Sequence, residues 1–332
     1  MNKSPLVSTF ALALALAAPS FLVAQERGAQ QFDPQLTTRV DLLRQELRRQ
    51  GKDFEVGVNP AMQYSLDQLC GLRPELRQYD FASHAQGGHL NNEVEELTAT
   101  VYPATFTGWF SPVKDQGQCG SCWAFATTGN LEGAALKKHG APQGRVNADG
   151  SITPSGVVTS LSEQQVLSCN PDGYGCQGGW YSYDMLMPTN ANRGFGYYKG
   201  AVPATAFPYV SNRVACSFSL QTSYTPVSQW GYVGNGYSIP SVTAIKAAIS
   251  KWGSVSVGVY ADSAFQAYRR GVFSGTDNRA QPNHAVLLVG WDDAKGAWLL
   301  KNSWSSQWGI NGFMWIKYGV NSVGTSPAWV LN

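Results

Sequence analysis

The chain has 332 residues, 43% hydrophobic and 12% aromatic, which is enough apolar material for two packed lobes or one domain with an appendage. Charged residues make up only 14%, and the net charge of +2 gives no basis for a nucleic-acid partner. With 11 Trp, 15 Tyr and 35 Gly, the composition favours strand and loop material over a helical bundle.

Residues 1–24 read as a secretory signal peptide: Lys3 precedes an apolar run ending in small residues, and Ala24 is a plausible last residue before cleavage. Pro19 and several Ser and Thr weaken the run as a membrane anchor, so no membrane association is expected after cleavage. Export predicts an extracellular or periplasmic protein, or one in a lysosome-like compartment of a eukaryote, where disulfides persist. The six cysteines are Cys70, Cys119, Cys122, Cys169, Cys176 and Cys216. Five lie beyond residue 100, and an odd number there flags one thiol kept free.

Residues 25–100 carry 8 Lys/Arg against 12 Asp/Glu, and residues 101–332 carry 15 against 10. An acidic piece and a basic remainder could therefore attract one another. Leu36, Val40, Leu43 and Leu47 recur at helical spacing and predict a surface helix with one apolar stripe. Phe54, Val56 and Val58 then alternate as in a strand, and "SHAQGGHLNNEVEE" reads as an exposed linker open to proteolysis.

After an aromatic-rich loop, a helix is predicted from Ser121, as N-cap, to Lys138, with Lys137, Lys138 and His139 in its last turn and Gly140 just beyond. "SEQQ" at 162–165 is a capping box for a second helix, and the polar stretch 141–159 reads as a surface loop. A third helix is expected over 241–251. Strands follow at 254–260, 284–291, 297–304 and 312–318. Helices first and strands second predict an α+β protein with two segregated lobes and a cleft between them.

"CGSC" at 119–122 allows four readings. A zinc site needs about two more Cys or His at short spacing, which the chain does not provide. A thiol-disulfide oxidoreductase would need a strand before the motif, where the chain has a loop. A disulfide between the two is the third reading, and a nucleophile is the fourth. With Ser121 as cap, Cys122 lies in the first helical turn, where unpaired backbone N–H groups and the positive dipole end favour thiolate. His284, at the start of an apolar strand, is the candidate base, and Asn302 in the adjoining strand could orient its ring.

The stretches "QGQCGSCWAF", "SLSEQQVLSC", "GCQGGW", "NHAVLLVGW" and "LLKNSWSSQWGINGF" occur in an order that resembles the papain-like cysteine peptidases. The resemblance covers most of residues 103–318 and implies a papain-like two-lobed fold: a helical lobe at about 115–220 and an antiparallel, β-barrel-like lobe at about 221–332. It further implies a secreted endopeptidase made as a zymogen, with Cys122 as nucleophile, His284 as acid and base, Asn302 as orienter, Gln116 as oxyanion donor and Trp304 as shield. Gly178 and Gly179 would form the edge that binds an extended peptide. Trp180, Gly258 and Pro282, with Asn283 beside them, would line the main specificity pocket, hinting at an apolar preference. The implied disulfides are Cys119–Cys176 and Cys169–Cys216, which leave Cys122 as the odd thiol. Residues 25–100 would be an inhibitory pro-region, and 101–332 the peptidase domain. No metal or cofactor is implied, and the partners are peptide substrates and the chain's own pro-region, acting on a monomer. An exopeptidase of dipeptidyl peptidase type is the alternative within the same family.

Overall fold

The first helix forms where the apolar spacing predicts it. In the computed structural model, which describes Met1 and residues 33–76, 101–188, 199–219, 221, 223–278 and 280–332, α1 spans Pro34–Arg49. Asp33 accepts from the Gln35 N–H at its start, and Val40 and Leu47 are its buried positions. The expected signal peptide, apart from Met1, and the "SHAQGGHLNNEVEE" linker lie outside the described residues.

The chain continues through β1 (Glu55–Val56), α2 (Leu66–Leu69), β2 (Thr105–Thr107), α3 (Cys122–Lys138), β3 (Arg145–Val146), β4 (Ile152–Thr153) and α4 (Glu163–Ser168). The second half contains β5 (Gln229–Tyr232), α5 (Val242–Trp252), β6 (Val255–Val259), α6 (Ser263–Gln266), β7 (Tyr268–Arg270) and β8 (Val272–Phe273). It ends with β9 (His284–Asp292), β10 (Ala297–Lys301), β11 (Phe313–Lys317) and β12 (Thr325–Leu331). No helix among the described residues is long and apolar enough to cross a membrane.

Two expectations need local correction. Ser162 caps α4 by accepting from the Gln165 N–H, but the Gln165 side chain bonds Gly200 and Val202 instead of closing the capping box. The 141–159 stretch is more than loop, because β3 and β4 pair as a small antiparallel hairpin. Asn147 bonds Ser151 and Thr153 across it.

The main sheet has the order β5-β12-β6-β9-β10-β11-β8, with β2 added on β9. It is an open path and not a closed barrel, and β8 joins β11 in parallel while the other pairs are antiparallel. At nine residues, β9 is long enough to pair with β6 through residues 284–288 and with β2 through 290–292. Its side chains alternate between two cores up to Val289, where a register shift against β10 resets the alternation. Ala285, Leu287 and Val289 face the core that contains α3, while Val286, Leu288 and Trp291 face the core that contains α5. Burial on both faces is why "HAVLLVGW" is continuously apolar.

Helix α3 is buried from Cys122 to Leu136, which is why it shows no single apolar stripe. Its C-terminus closes on Gly140 at φ 68°, with Gly140 N–H bonded to Lys137 and Ala141 N–H to Leu136. The N-terminal piece packs on the sheet lobe: Phe54 meets Phe273 at 4.6 Å, β1 pairs with β7, and Gln266 donates to the carbonyls of Ala61 and Tyr64. Among the described residues an ion pair between the two parts, Glu55 with Arg270, is solvent-exposed and adds little. Apolar packing and buried hydrogen bonds hold the described part of the piece.

Candidate active site

Cys122 is the first residue of α3 and is fully buried. Ser121 occupies the cap position, yet its hydroxyl bonds Tyr209 at 2.6 Å and the Cys119 carbonyl, and does not cap the helix. The cap backbone, at φ −100° and ψ 16°, is not extended as a capping residue's usually is. The helix N–H groups therefore stay available around Cys122. Its sulfur accepts the Gly71 backbone N–H at 3.3 Å, and the backbones of Ala285 and Trp123 also pull the thiol toward its charged form.

The other half of the site comes from the sheet lobe. His284 Nε2 lies 2.8 Å from Asn302 Oδ1, and the same oxygen accepts from the Ser303 N–H at 2.8 Å. Two donors on one oxygen fix the amide orientation and put the imidazole proton on Nε2. Nδ1 is left with a lone pair and has no partner among the described residues. The backbone of Ala285, the residue after His284, acts on the Cys122 thiol, which puts the start of β9 at the head of α3. Trp304 covers the imidazole with ring centroids 4.5 Å apart.

Gln116 approaches from the loop before α3. Ser303 Oγ donates to its Oε1 at 2.7 Å, which turns Nε2 into the cleft. There Nε2 donates to Cys119 and to the carbonyl of Leu69, each at 2.8 Å. Leu69 belongs to the N-terminal piece, and the residues after it run through the cleft. Leu72 N–H bonds Asn283 O at 2.9 Å, Arg73 N–H bonds Gly179 O at 3.1 Å, and Gly179 N–H bonds Gly71 O at 2.9 Å. Leu72 lies parallel to Gly179. A Cβ on Gly178 would stand 2.7 Å from the Gly71 carbonyl, so a side chain there would push the segment off the edge.

The pocket residues sit differently from one another. A Cβ on Gly258 would lie 3.0 Å from Pro282 and 3.1 Å from Leu72, so Leu72 fills the space these two residues flank. Asn283 touches the segment through its carbonyl, while its side chain is spent on Ala261. Trp180 is fully buried, with its indole N–H donating to Tyr232 at 2.7 Å.

With the cleft covered, burial raises the Cys122 thiol despite the backbone N–H groups. Burial also pushes the His284 imidazole down to about 4, opposed by the bond to Asn302. In the covered cleft both shifts favour the uncharged forms, opposing the preference for thiolate that a helix N-terminus supplies. Beneath it lies a buried charge cluster. Lys114 bonds Glu132 at 2.7 Å and Glu163 at 2.6 Å, Ser111 bonds Glu132, and Lys301 bonds Ser111 at 3.0 Å. Burial brings Lys301 down to about 8, whereas Lys114 is raised because its two carboxylates outweigh its burial. The cluster joins α3 and α4 to β10.

Cys119 is bridged to Cys176 (Cα–Cα 4.7 Å) and Cys169 to Cys216 (4.9 Å), with Cys70 and Cys122 free. The bridge to Cys176 removes the dithiol that an oxidoreductase reading of CGSC requires.

A family model described as papain family cysteine protease matches residues 104–330, more than half of the chain. The chain belongs to the papain family of cysteine proteases. Within that family it is 34% identical to mouse pro-cathepsin H over 223 residues, which are 64% of this chain and 58% of that protein. It is 35% identical to chicken cathepsin K over 213 residues, 62% of this chain and 55% of that protein. The chain thus spans about half the length of these relatives. The rice oryzain gamma chain is 30% identical over 292 residues, 86% of this chain and 72% of that one. Among solved structures, procathepsin L2 from the larval midgut of Tenebrio molitor superposes with a TM-score of 0.69 at 26% identity, covering 90% of each chain.

The papain-family fold brings together Cys122, His284, Asn302, Gln116 and Trp304. Three participants escaped the sequence reading: Ser303, which aims Gln116, the Leu69 carbonyl, and Cys70. An odd thiol was expected beyond residue 100, but the sixth cysteine had no place.

Proposed function

We propose that the chain is the zymogen of a secreted, monomeric cysteine endopeptidase, with residues 1–24 a signal peptide, 25–100 an inhibitory pro-region and 101–332 the peptidase domain. The observation that carries this reading is the seating of residues 69–73 between Gln116, Cys122, Gly179 and Asn283. A peptide substrate would take the same groove. His284 Nδ1 accepts the Cys122 proton, the sulfur attacks the scissile carbonyl, and Gln116 Nε2 donates to the oxyanion. The imidazolium then protonates the leaving amine, and after amine departure the imidazole draws a proton from water that hydrolyses the thioester. Asn302 holds the ring throughout, and Trp304 keeps water from that bond.

The segment crosses the cleft from the Gln266 side, past Cys122, to Gly179 and Arg73. Room for a chain on both sides of the sulfur favours an endopeptidase over a dipeptidyl peptidase. Leu72 beside Gly258 and Pro282 supports an apolar preference in the main pocket.

The test is hydrolysis of fluorogenic peptides by the processed enzyme, with Leu or Glu at the second position before the scissile bond and with or without a thiol alkylator. Leu substrates are expected to be cleaved and Glu substrates poorly. Cys122→Ala and His284→Ala should lose activity, and wild-type turnover by both would sink the reading. Residues 25–100 added in trans should inhibit, whereas no inhibition at high concentration would make them an accessory domain.

A further inference from the structure

Cys70 is the cysteine used neither by a bridge nor by the proposed chemistry. A buried cysteine often serves as a small apolar residue, and this one counts in the sheet-lobe core, but its backbone neighbours on both sides are held against the active site. The residue before it places its carbonyl on Gln116 Nε2 at 2.8 Å, and the residue after it donates its N–H to the Cys122 sulfur at 3.3 Å. Fixed peptide geometry puts the Cys70 Cα about 2.4 Å from the Gly71 nitrogen, hence within about 6 Å of that sulfur. Gly71 also rests on Gly120, whose carbonyl oxygen would lie 1.7 Å from a Cβ at position 71, so the segment is held close. Cys70 and Cys122 are both free and buried.

We propose that Cys70 and Cys122 form an intramolecular disulfide in the oxidised zymogen, a reversible covalent latch between the N-terminal segment and the nucleophile. The proposal rests on the zymogen reading above and adds to it a modification site and a reductive trigger. The oxidant is a small-molecule disulfide of the glutathione class. One cysteine thiolate attacks it and expels one thiolate, forming a mixed disulfide. The second cysteine thiolate attacks the protein sulfur of that adduct and expels the other. Two protein thiols are oxidised to one disulfide, the small disulfide is reduced to two thiols, and these take up the two protons released. Oxidising conditions of the kind that close Cys119–Cys176 and Cys169–Cys216 would close this bridge too. Once closed, it leaves the sulfur unable to attack, and cleavage elsewhere in residues 25–100 would not release residues 69–73.

The test uses the full chain as His284→Ala, which keeps both thiols and cannot process itself. The protein is equilibrated with oxidised and reduced glutathione, quenched in acid, alkylated, digested and mapped by mass without reduction. Expected are joint loss of both thiols, a peptide cross-linking Cys70 to Cys122, no attached glutathione, and full reversal by reductant. Cys70→Ser in the same background should carry glutathione on Cys122 instead. An alkylatable thiol at either position under fully oxidising conditions, or glutathione retained on the His284→Ala chain, overturns the latch. The cross-link is read by mass, independently of hydrolysis. If it forms while reduced, processed wild type cleaves no peptide, the peptidase reading fails and the latch stands.

Discussion

The backbone N–H of Gly71 donates to the sulfur of Cys122 at 3.3 Å. The sulfur thus meets an amide hydrogen where a cleavable peptide would present a carbonyl carbon. This contact keeps the nucleophile covered by a segment it is not aligned to attack, and it depends on residue 71 having no side chain.

Gly71→Ala places a methyl group 1.7 Å from the Gly120 carbonyl oxygen, so the segment must lift. Overpacking of this kind costs about 1–3 kcal/mol, and residues 25–100 carrying the change should inhibit the processed enzyme about 10- to 100-fold less tightly. An inhibition constant equal to that of the unchanged segment would contradict the seating.

Gln116→Ala removes one donor to the developing oxyanion. In the processed enzyme kcat should fall about 10²- to 10³-fold with little change in KM. Ser303→Ala leaves the Gln116 amide but frees its orientation, so it should give a smaller loss in kcat. A pure rise in KM in either variant would assign Gln116 to binding.

Burial holds the His284 imidazole near 4 in the folded chain, against 6.5 when exposed. Between these values the unfolded chain binds more protons, so the contribution of this group is complete above about pH 6.5 and is lost as pH falls toward about 4. The loss amounts to about 3 kcal/mol. Denaturant unfolding of Cys122→Ala at the two ends of that window, with and without His284→Gln, isolates it. Equal acid sensitivity in both proteins would rule it out.

Lys114 is ion-paired with two buried carboxyl groups, Glu132 and Glu163, and supplies one positive charge between them. Lys114→Met should therefore cost about 3–5 kcal/mol, because it strands buried charge. Urea unfolding in a Cys122→Ala background measures this, and a change below about 1 kcal/mol would mean the carboxylates find protons or water at no expense.

Much of the fold could be read from periodicity and punctuation. The stripe from Leu36 to Leu47, Ser241 before α5, Gly140 after α3 and the apolar run of β9 are local patterns, and local backbone preference follows them. Order and spacing of short motifs likewise picked out Cys122, His284, Asn302 and Gln116, since the chemistry of a thiol and its base restricts residue types. Other features depended on neighbours distant in the chain. Ser121 has a capping side chain, but Tyr209, 88 residues away, takes its hydroxyl. The helix N-terminus favours a thiolate, but burial within the folded chain opposes it. Cys70 looked like a spare cysteine in an acidic preface. Its place becomes visible only when Gln116, Gly120 and Cys122 clamp its neighbours, because contacts between residues distant in the chain are a property of packing and leave no mark in the order of residues.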